Sequence, residues 1–144
     1  MSTLINESRG LFRKLYDAAN DLLLIPLSAK DDAAVADAAN DVATILALGG
    51  VTEQTSGGWA RKTITNANTT VTVDDTNDRI DITVPEQTWT TPTVGNDVVA
   101  LLVVFNDGGS DAARTAIGSI DFAVTANGLD VTTSGLTTFL HRLD

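Results

Sequence analysis

The sequence contains no cysteine and only one histidine, His141. Without cysteine, the chain can form no disulfide and can bind no metal through a thiolate. A zinc site made of histidine and cysteine needs several such ligands, so that class of metal centre is excluded. A nucleophilic triad would have to include His141, which lies in the predicted last strand, and there is no Gly-x-Ser-x-Gly motif. We therefore expect a protein that is not an enzyme and that has no cofactor.

Positive charge is also scarce. Nine basic residues stand against nineteen acidic ones, which gives a formal net charge of −10. Because affinity for phosphate comes from cationic side chains, this balance disfavours nucleic acid as a partner. The longest apolar run, Val98–Phe105, is too short to span a bilayer, and the first residues lack the features of a signal peptide. We expect neither a nucleic-acid partner nor a membrane partner.

Prolines and aromatics are few, and threonine, valine, alanine, aspartate and asparagine take their place. Threonine and valine favour strands, whereas aspartate, asparagine and glycine favour turns. From residue 59 onward, apolar and polar residues alternate in short segments separated by turn residues. The run Val98–Phe105 is apolar on both faces, which predicts a central strand. The other predicted strands cover residues 60–64, 69–73, 80–84, 120–124, 129–132 and 136–141.

This pattern predicts a mainly β fold, an antiparallel β-sandwich or jelly-roll-like domain with one or two short helices in the N-terminal third. The domain is expected to cover residues 21–144, with a helix near residues 32–48 that lies across one side of the sheet and stops at Gly49 and Gly50. Residues 22–27 read as a buried strand. Pro26 is expected at the edge or end of that strand, because proline has no N–H to donate.

Residues 1–20 form a predicted helical and basic segment, called the arm below. Apolar residues recur at helical spacing there, and Arg9, Arg13 and Lys14 supply three of the nine cations. One interpretation is a helix with an ordinary solvated face. The other is an arm that grips a partner subunit, with Arg9, Phe12, Arg13 and Lys14 at the interface.

An acidic turn between two predicted strands is the best candidate for a metal site. Asp74, Asp75, Asn77 and Asp78 offer the oxygen ligands that calcium prefers. The spacing does not match an EF-hand, and aspartate and asparagine also favour turns because their side chains bond the local backbone. We favour the turn, and keep a cation site as the alternative.

Two tryptophans, Trp59 and Trp89, lie on either side of the predicted hairpin. They could stack on sugar rings, but in a small β domain such residues more often anchor a core or an interface. We favour an anchor, and we include Trp59 among the predicted interface residues. The glycine-rich residues 106–111 lack a following Gly-Lys-Ser/Thr, so we interpret them as a hairpin tip rather than a phosphate-binding loop.

Six segments, in this order, carry a resemblance to a family. They follow an apolar strand at residues 22–27 and an Asp- and Ala-rich segment with a helix. The six segments are Gly58-Trp59-Ala60-Arg61-Lys62, residues 70–82, Thr88-Trp89, Val104-Phe105-Asn106-Asp107, residues 117–122 and Thr125-Ala126-Asn127-Gly128. The order resembles that of small structural proteins of tailed bacteriophages, and the likeness covers roughly residues 20–135. Trp59 and Phe105 stand where tyrosine is usual in that family, so an aromatic ring is kept at both positions.

The resemblance implies a virion component, and above all a capsid decoration, or cement, protein on the outside of the phage head. The implied partners are the major capsid protein and further copies of the chain, with a homotrimer expected. The alternative is a tail or fibre component, in which a glycan-binding module would use the tryptophans. The resemblance supplies no catalytic residues.

Overall fold

The computed structural model describes residues 3–4, 21–32, 41–74, 79–106, 109–134 and 136–142. Strands dominate these residues, and every strand pair is antiparallel. The strands are β1 (Thr3–Leu4), β2 (Leu22–Ala29), β3 (Thr52–Glu53), β4 (Lys62–Ile64), β5 (Thr70–Asp74), β6 (Arg79–Val84), β7 (Thr88–Trp89), β8 (Val98–Phe105), β9 (Thr115–Val124), β10 (Val131–Thr132) and β11 (Leu136–Arg142). A short helix, α1 (Val42–Leu46), and a 3₁₀ turn (Asn66–Asn68) complete the described part. The predicted mainly β class with a short helix is confirmed; the sandwich itself stays a prediction.

The largest sheet has six strands and is built around β8. Its order is β1-β9-β8-β2-β3, and β4 also pairs with β2. The prediction that β8 is a central strand is confirmed, because β2 and β9 flank it and seven of its eight residues are buried. Successive side chains of β8 point to opposite faces of the sheet. Leu101 and Val103 lie in one buried cluster, and Leu102 and Val104 lie in the other.

A change of register near the start of β8 alters this alternation. The pairing with β9 shifts between Val98 and Ala100, as in a β-bulge. Across this irregularity Val98 lies in the cluster of Leu101 and Val103, while Val99 is 38% exposed.

Pro26 lies in the middle of β2, not at an edge or end as expected. On one side of β2, Pro26 pairs with Leu101 of β8. On the other side, β4 pairs with Leu22, Leu23 and Leu24, and β3 begins to pair only at Leu27. The Pro26 carbonyl accepts a hydrogen bond from the Gln54 N–H (2.8 Å) in this gap between β3 and β4. The missing donor is therefore tolerated because the neighbouring ladder is interrupted there.

The helix α1 covers one face of the large sheet, as predicted. Val42 and Ile45 are fully buried against Leu102 and Val104 of β8 in one hydrophobic cluster. Asp41 caps the helix, since its carboxylate accepts the Thr44 N–H at 2.8 Å. Within the described residues the helix ends at Leu46, three residues before the predicted glycine stop, and residues 33–40 lie outside the description.

The buried cluster on the opposite face of β8 also contains residues of a second sheet and both tryptophans. The predicted hairpin is confirmed: β5 pairs with β6, and β11 pairs with the other side of β6. Ile82 and Val84 of β6 share a buried cluster with Leu101 and Phe105 of β8. The small pair β7–β10 adds Trp89 to the same cluster.

We predict that Ile82→Ala destabilises the protein by about 2–4 kcal/mol, because the substitution removes buried methyl groups and leaves a cavity in the cluster that Ile82 shares with Leu101 and Phe105. Ile82 is fully buried, and the matched control is Thr72→Ala on the neighbouring strand, where the side chain is exposed. Urea unfolding followed by circular dichroism measures both. Equal losses in the two variants would contradict a core that joins the sheets through β6.

Candidate functional site

The two tryptophans lie side by side in the core. Their ring centroids are 5.2 Å apart, and Trp59 and Trp89 are only 3% and 1% exposed. Each indole N–H donates to a backbone carbonyl, Trp59 to Asn96 (2.6 Å) and Trp89 to Ala60 (2.7 Å). Phe122 of β9 packs against Trp89, and the Lys62 ammonium lies 5.6 Å from a Trp89 ring centroid. A buried pair with both indole donors satisfied is a core anchor.

Trp59 was also predicted as an interface residue. Its side chain is 3% exposed in the single chain, and its role at an interface stays a prediction. Gly57 and Gly58, both with positive φ, precede Trp59 and turn the chain. A Cβ at Gly57 would lie 2.5 Å from the Asn96 side-chain nitrogen, so only glycine fits there. The hydrogen bond from the Trp59 indole to the Asn96 carbonyl holds the same loop against the tryptophan.

Three loops meet above the tryptophans: residues 54–60, 90–97 and 125–130. Together they are called the loop surface below. Backbone hydrogen bonds join them: the Thr93 N–H donates to Gly57 (2.8 Å), and the Gly128 N–H donates to Pro92 (3.1 Å). The loop surface is thus fixed to the core through Trp59 and cross-linked within itself.

The loop surface presents two large apolar side chains to solvent. Val94 is 69% exposed and Leu129 is 66% exposed. Their loops are adjacent, because a Cβ at Gly128 would lie 3.9 Å from a methyl group of Val94. Thr91, in the same loop as Val94, has φ +42°, a strained conformation for a β-branched residue. Strain of this kind persists only where the surroundings hold the chain in place.

Charge is nearly absent from the loop surface. Its sequence contains only two charged residues, Asp97 and Asp130. The Asp97 carboxylate accepts the Ala126 N–H at 3.0 Å, and that of Asp130 accepts the Thr91 N–H at 2.8 Å. Each carboxylate therefore joins the loop of residues 90–97 to the loop of residues 125–130.

A second group of polar residues lies near the N-terminal end of α1. The Arg61 guanidinium makes paired hydrogen bonds to Glu53 (2.7 and 2.6 Å) and to Asp111 (2.6 and 2.7 Å). Arg114 donates to Asp111 and Asn106, both at 2.9 Å. Arg61, Glu53, Asp111 and Arg114 form what we call the arginine network.

The arginine network holds a loop onto the helix. The Ala43 N–H donates to the Asp111 carbonyl and the Val42 N–H donates to the Arg114 carbonyl, both at 3.2 Å. Hydrogen bonds donated by Arg61 lower the pKa of Asp111 to about 2, and the acceptance of these bonds by Glu53 and Asp111 raises the pKa of Arg61. Such charge-assisted, bidentate pairing makes the network a structural clamp.

Sequence reasoning did not find the arginine network. Glu53 and Asp111 are 58 positions apart in the chain, so spacing carries no signal that both meet Arg61. The one residue of the network that the sequence analysis had singled out is Arg61, which occurs in the Gly58-to-Lys62 segment of the resemblance. The loop surface was missed for a similar reason, since Val94 and Leu129 belong to separate turns.

The remaining predicted site residues lie mostly outside the description. Arg9, Phe12, Arg13 and Lys14 belong to the undescribed part of the arm, as do Asp75, Asn77 and Asp78 to that of the acidic turn. Asp74 is the last residue of β5. The described residues contain no cluster of three or more histidine, cysteine or acidic residues able to hold a metal ion.

Comparisons of the chain with protein-family models, with curated proteins and with solved structures find no match. Among the described residues, no helix has the length and apolar character needed to cross a membrane.

We predict that Asp111→Asn lowers the stability at pH 7 by about 1–2 kcal/mol, because the substitution removes the charge that faces Arg61 and Arg114. A carboxyl with a lowered pKa stabilises the fold above its ordinary value of 3.8, and that contribution is lost as the pH falls toward about 2. Unfolding at pH 7 and near pH 2 should therefore separate wild type from variant only at the higher pH. Glu86→Gln, at an exposed carboxylate, is the control and should change neither value.

We also predict that the tryptophan fluorescence is blue-shifted and resists quenching by iodide in the native state, because both indoles are buried. Unfolding in urea should shift the emission to the red and restore quenching. Efficient quenching of the native protein would contradict the buried pair.

Proposed function

We propose that the protein is a structural component of a tailed-phage virion, a decoration protein that binds the major capsid protein on the outside of the head. The single observation that carries this proposal is the ordered set of six segments between residues 58 and 128. The protein acts as a homotrimer and has no enzymatic activity in this proposal.

The positions of the six segments in the fold support the proposal. They form the approach to β4, the hairpin β5–β6, the strand β7, the end of β8, the middle of β9, and the loop after β9. The two aromatic positions of the resemblance, Trp59 and Phe105, are both buried. The likeness therefore concerns residues that hold the sheets together, as expected for a shared fold.

The charge distribution fits a protein that faces outward. Among the described cations, Lys30 is paired with Asp32 and Asp121, Arg61 with Glu53 and Asp111, and Arg114 with Asp111. The described body is therefore acidic in balance. The arm contributes Arg9, Arg13 and Lys14, which we assign to contact with the shell or with a neighbouring subunit.

The proposed mechanism is stabilisation by binding to the assembled state. A protein that binds the closed shell and not its separated subunits shifts the equilibrium toward the closed shell by mass action. Many copies, each joining adjoining capsid subunits, would then oppose the pressure of the packaged DNA.

The burial of both tryptophans favours the capsid proposal over the glycan-binding alternative. A sugar platform requires an exposed aromatic face, and Trp59, Trp89 and Phe105 are all buried. Adding host polysaccharide to the purified protein should leave its tryptophan fluorescence unchanged. A saturable shift would instead favour a tail or fibre module.

The decisive test is to locate the protein in intact particles by electron microscopy. We expect density on the head exterior that disappears when the gene is deleted and returns when the purified full-length chain is added to the deficient heads. Particles that lack the protein should release their DNA at a lower temperature. Density on the tail, or none on the head, would overturn the proposal.

The arm is tested in the same reconstitution assay. The triple variant Arg9→Ala, Arg13→Ala and Lys14→Ala should bind deficient heads about tenfold or more weakly, because three cations are lost from the contact. The control for lost positive charge is Lys62→Ala, outside the arm. Wild-type binding by the triple variant would contradict the role of the arm.

A further inference from the structure

We propose that β1 protects the outer edge of β9, the edge that faces away from β8: β1 occupies this edge and so prevents it from pairing with β9 of a second copy. The inference concerns the free protein. It does not rest on the proposed function, because association between copies is measured with the purified chain and needs no capsid.

The first argument is the position of β9 in the large sheet. β9 has ten residues, more than any other described strand, and it pairs with β8 on its inner side. At the opposite border of the sheet, β3 and β4 have only two and three residues. A long edge strand presents a row of backbone donors and acceptors to which another strand can add, whereas a short one offers few. The outer edge of β9 is therefore the part of this sheet that most needs cover.

The second argument is the composition of β9. The strand contains no proline and one charged residue, Asp121. β-branched and aromatic residues recur along it; they are Thr115, Ile117, Ile120, Phe122 and Val124. Such residues favour strand pairing, and an edge strand with neither proline nor repeated charge depends on other elements for protection.

The third argument is where β1 lies. It pairs antiparallel with the outer edge of β9, with Thr3 opposite Ser119 and Leu4 opposite Gly118. Gly118 and Ser119 are both buried. β1 also contacts β11, the border strand of the second sheet. β1 therefore covers the middle of β9, where the edge has no charged residue of its own.

Other residues protect the two ends of this edge. Asp41 forms an antiparallel bridge with Thr115 at the start of β9. Beyond β1, the Asp121 carboxylate is 48% exposed and forms an ion pair with Lys30. A partly exposed ion pair opposes the approach of another strand, because pairing would remove water from the charges. With β1 displaced, the middle of the edge would lose its only protection among the described residues.

A second copy is the partner that β1 excludes. Every copy has the same outer edge, and antiparallel pairing of β9 with another β9 satisfies both edges around a two-fold axis. The formal charge of −10 on each copy opposes this approach. Salt at about 500 mM screens that repulsion, so the association is measured at this concentration.

A cysteine pair tests whether β1 lies on its own chain. The sequence has no cysteine, so Thr3→Cys combined with Ser119→Cys creates one defined disulfide. Opposite residues of an antiparallel ladder have Cα atoms about 4.5–5.5 Å apart, within the range that a disulfide spans. We expect the oxidised variant to migrate as a single chain on a non-reducing gel and to have no free thiol. Covalent dimers or trimers, or thiols that resist oxidation, would contradict the inference.

Displacing β1 tests its protective role. In the full chain, Thr3→Pro combined with Leu4→Pro removes both N–H groups of β1. Sedimentation velocity between about 1 and 500 μM should show association at least about tenfold stronger than that of wild type. Ala123→Lys, at an exposed position of β9, should reverse this gain because it adds a charge to the edge. Ala47→Lys, exposed at the end of α1, is the matched control and should leave the gain in place.

Circular dichroism verifies that the variants are folded, and Leu4→Pro alone displaces β1 more mildly if the double variant does not fold. The inference is wrong if the proline variants associate like wild type, if Ala123→Lys leaves the gain in place, or if Ala47→Lys removes it equally. The capsid proposal is decided by the position of the protein in the particle, so neither experiment decides the other.

Discussion

The structure depends on the burial of both faces of β8. This strand is apolar along nearly its whole length, so no arrangement with one solvated face satisfies it. Pairing with β2 and β9 satisfies its backbone, α1 covers one face, and the β6 hairpin with the tryptophans covers the other. Hydrogen bonds fix both covering elements in place. The helix α1 is held by the Asp41 cap and the arginine network, and each tryptophan is held by the hydrogen bond of its indole N–H.

One of these hydrogen bonds also connects the core to the surface. Trp59 is buried, yet its indole N–H bonds the Asn96 carbonyl in an exposed loop. Through that bond the position of Val94 is set by the packing of the core. Hydrogen bonds between the loops hold this surface in one arrangement. The indole hydrogen bond is therefore the physical link between the β core and its exposed loops.

Sequence reasoning succeeded where a local pattern has only one structural solution. Apolar residues on both faces predicted β8, and two alternating segments around an acidic turn predicted β5 and β6. It failed where the position of a residue depends on neighbours that are distant in the sequence. Pro26 was expected at an edge because the gap between β3 and β4 is not visible in the sequence. For Trp59 the sequence left a core anchor and an interface anchor open, because nothing in the chain signals its hydrogen bond to Asn96.

The sequence by itself therefore determined the mainly β class of the protein, most of its longer strands, its acidic balance, and the absence of disulfides and thiolate metal sites. Those properties follow from composition and from periods of two residues, which act over short distances along the chain. Only the tertiary structure decided that Arg61 joins Glu53 to Asp111 and that Val94 and Leu129 lie on one surface. Arg61 and Asp111 are 50 positions apart, and Val94 and Leu129 are 35 positions apart; no local rule specifies which distant residues meet.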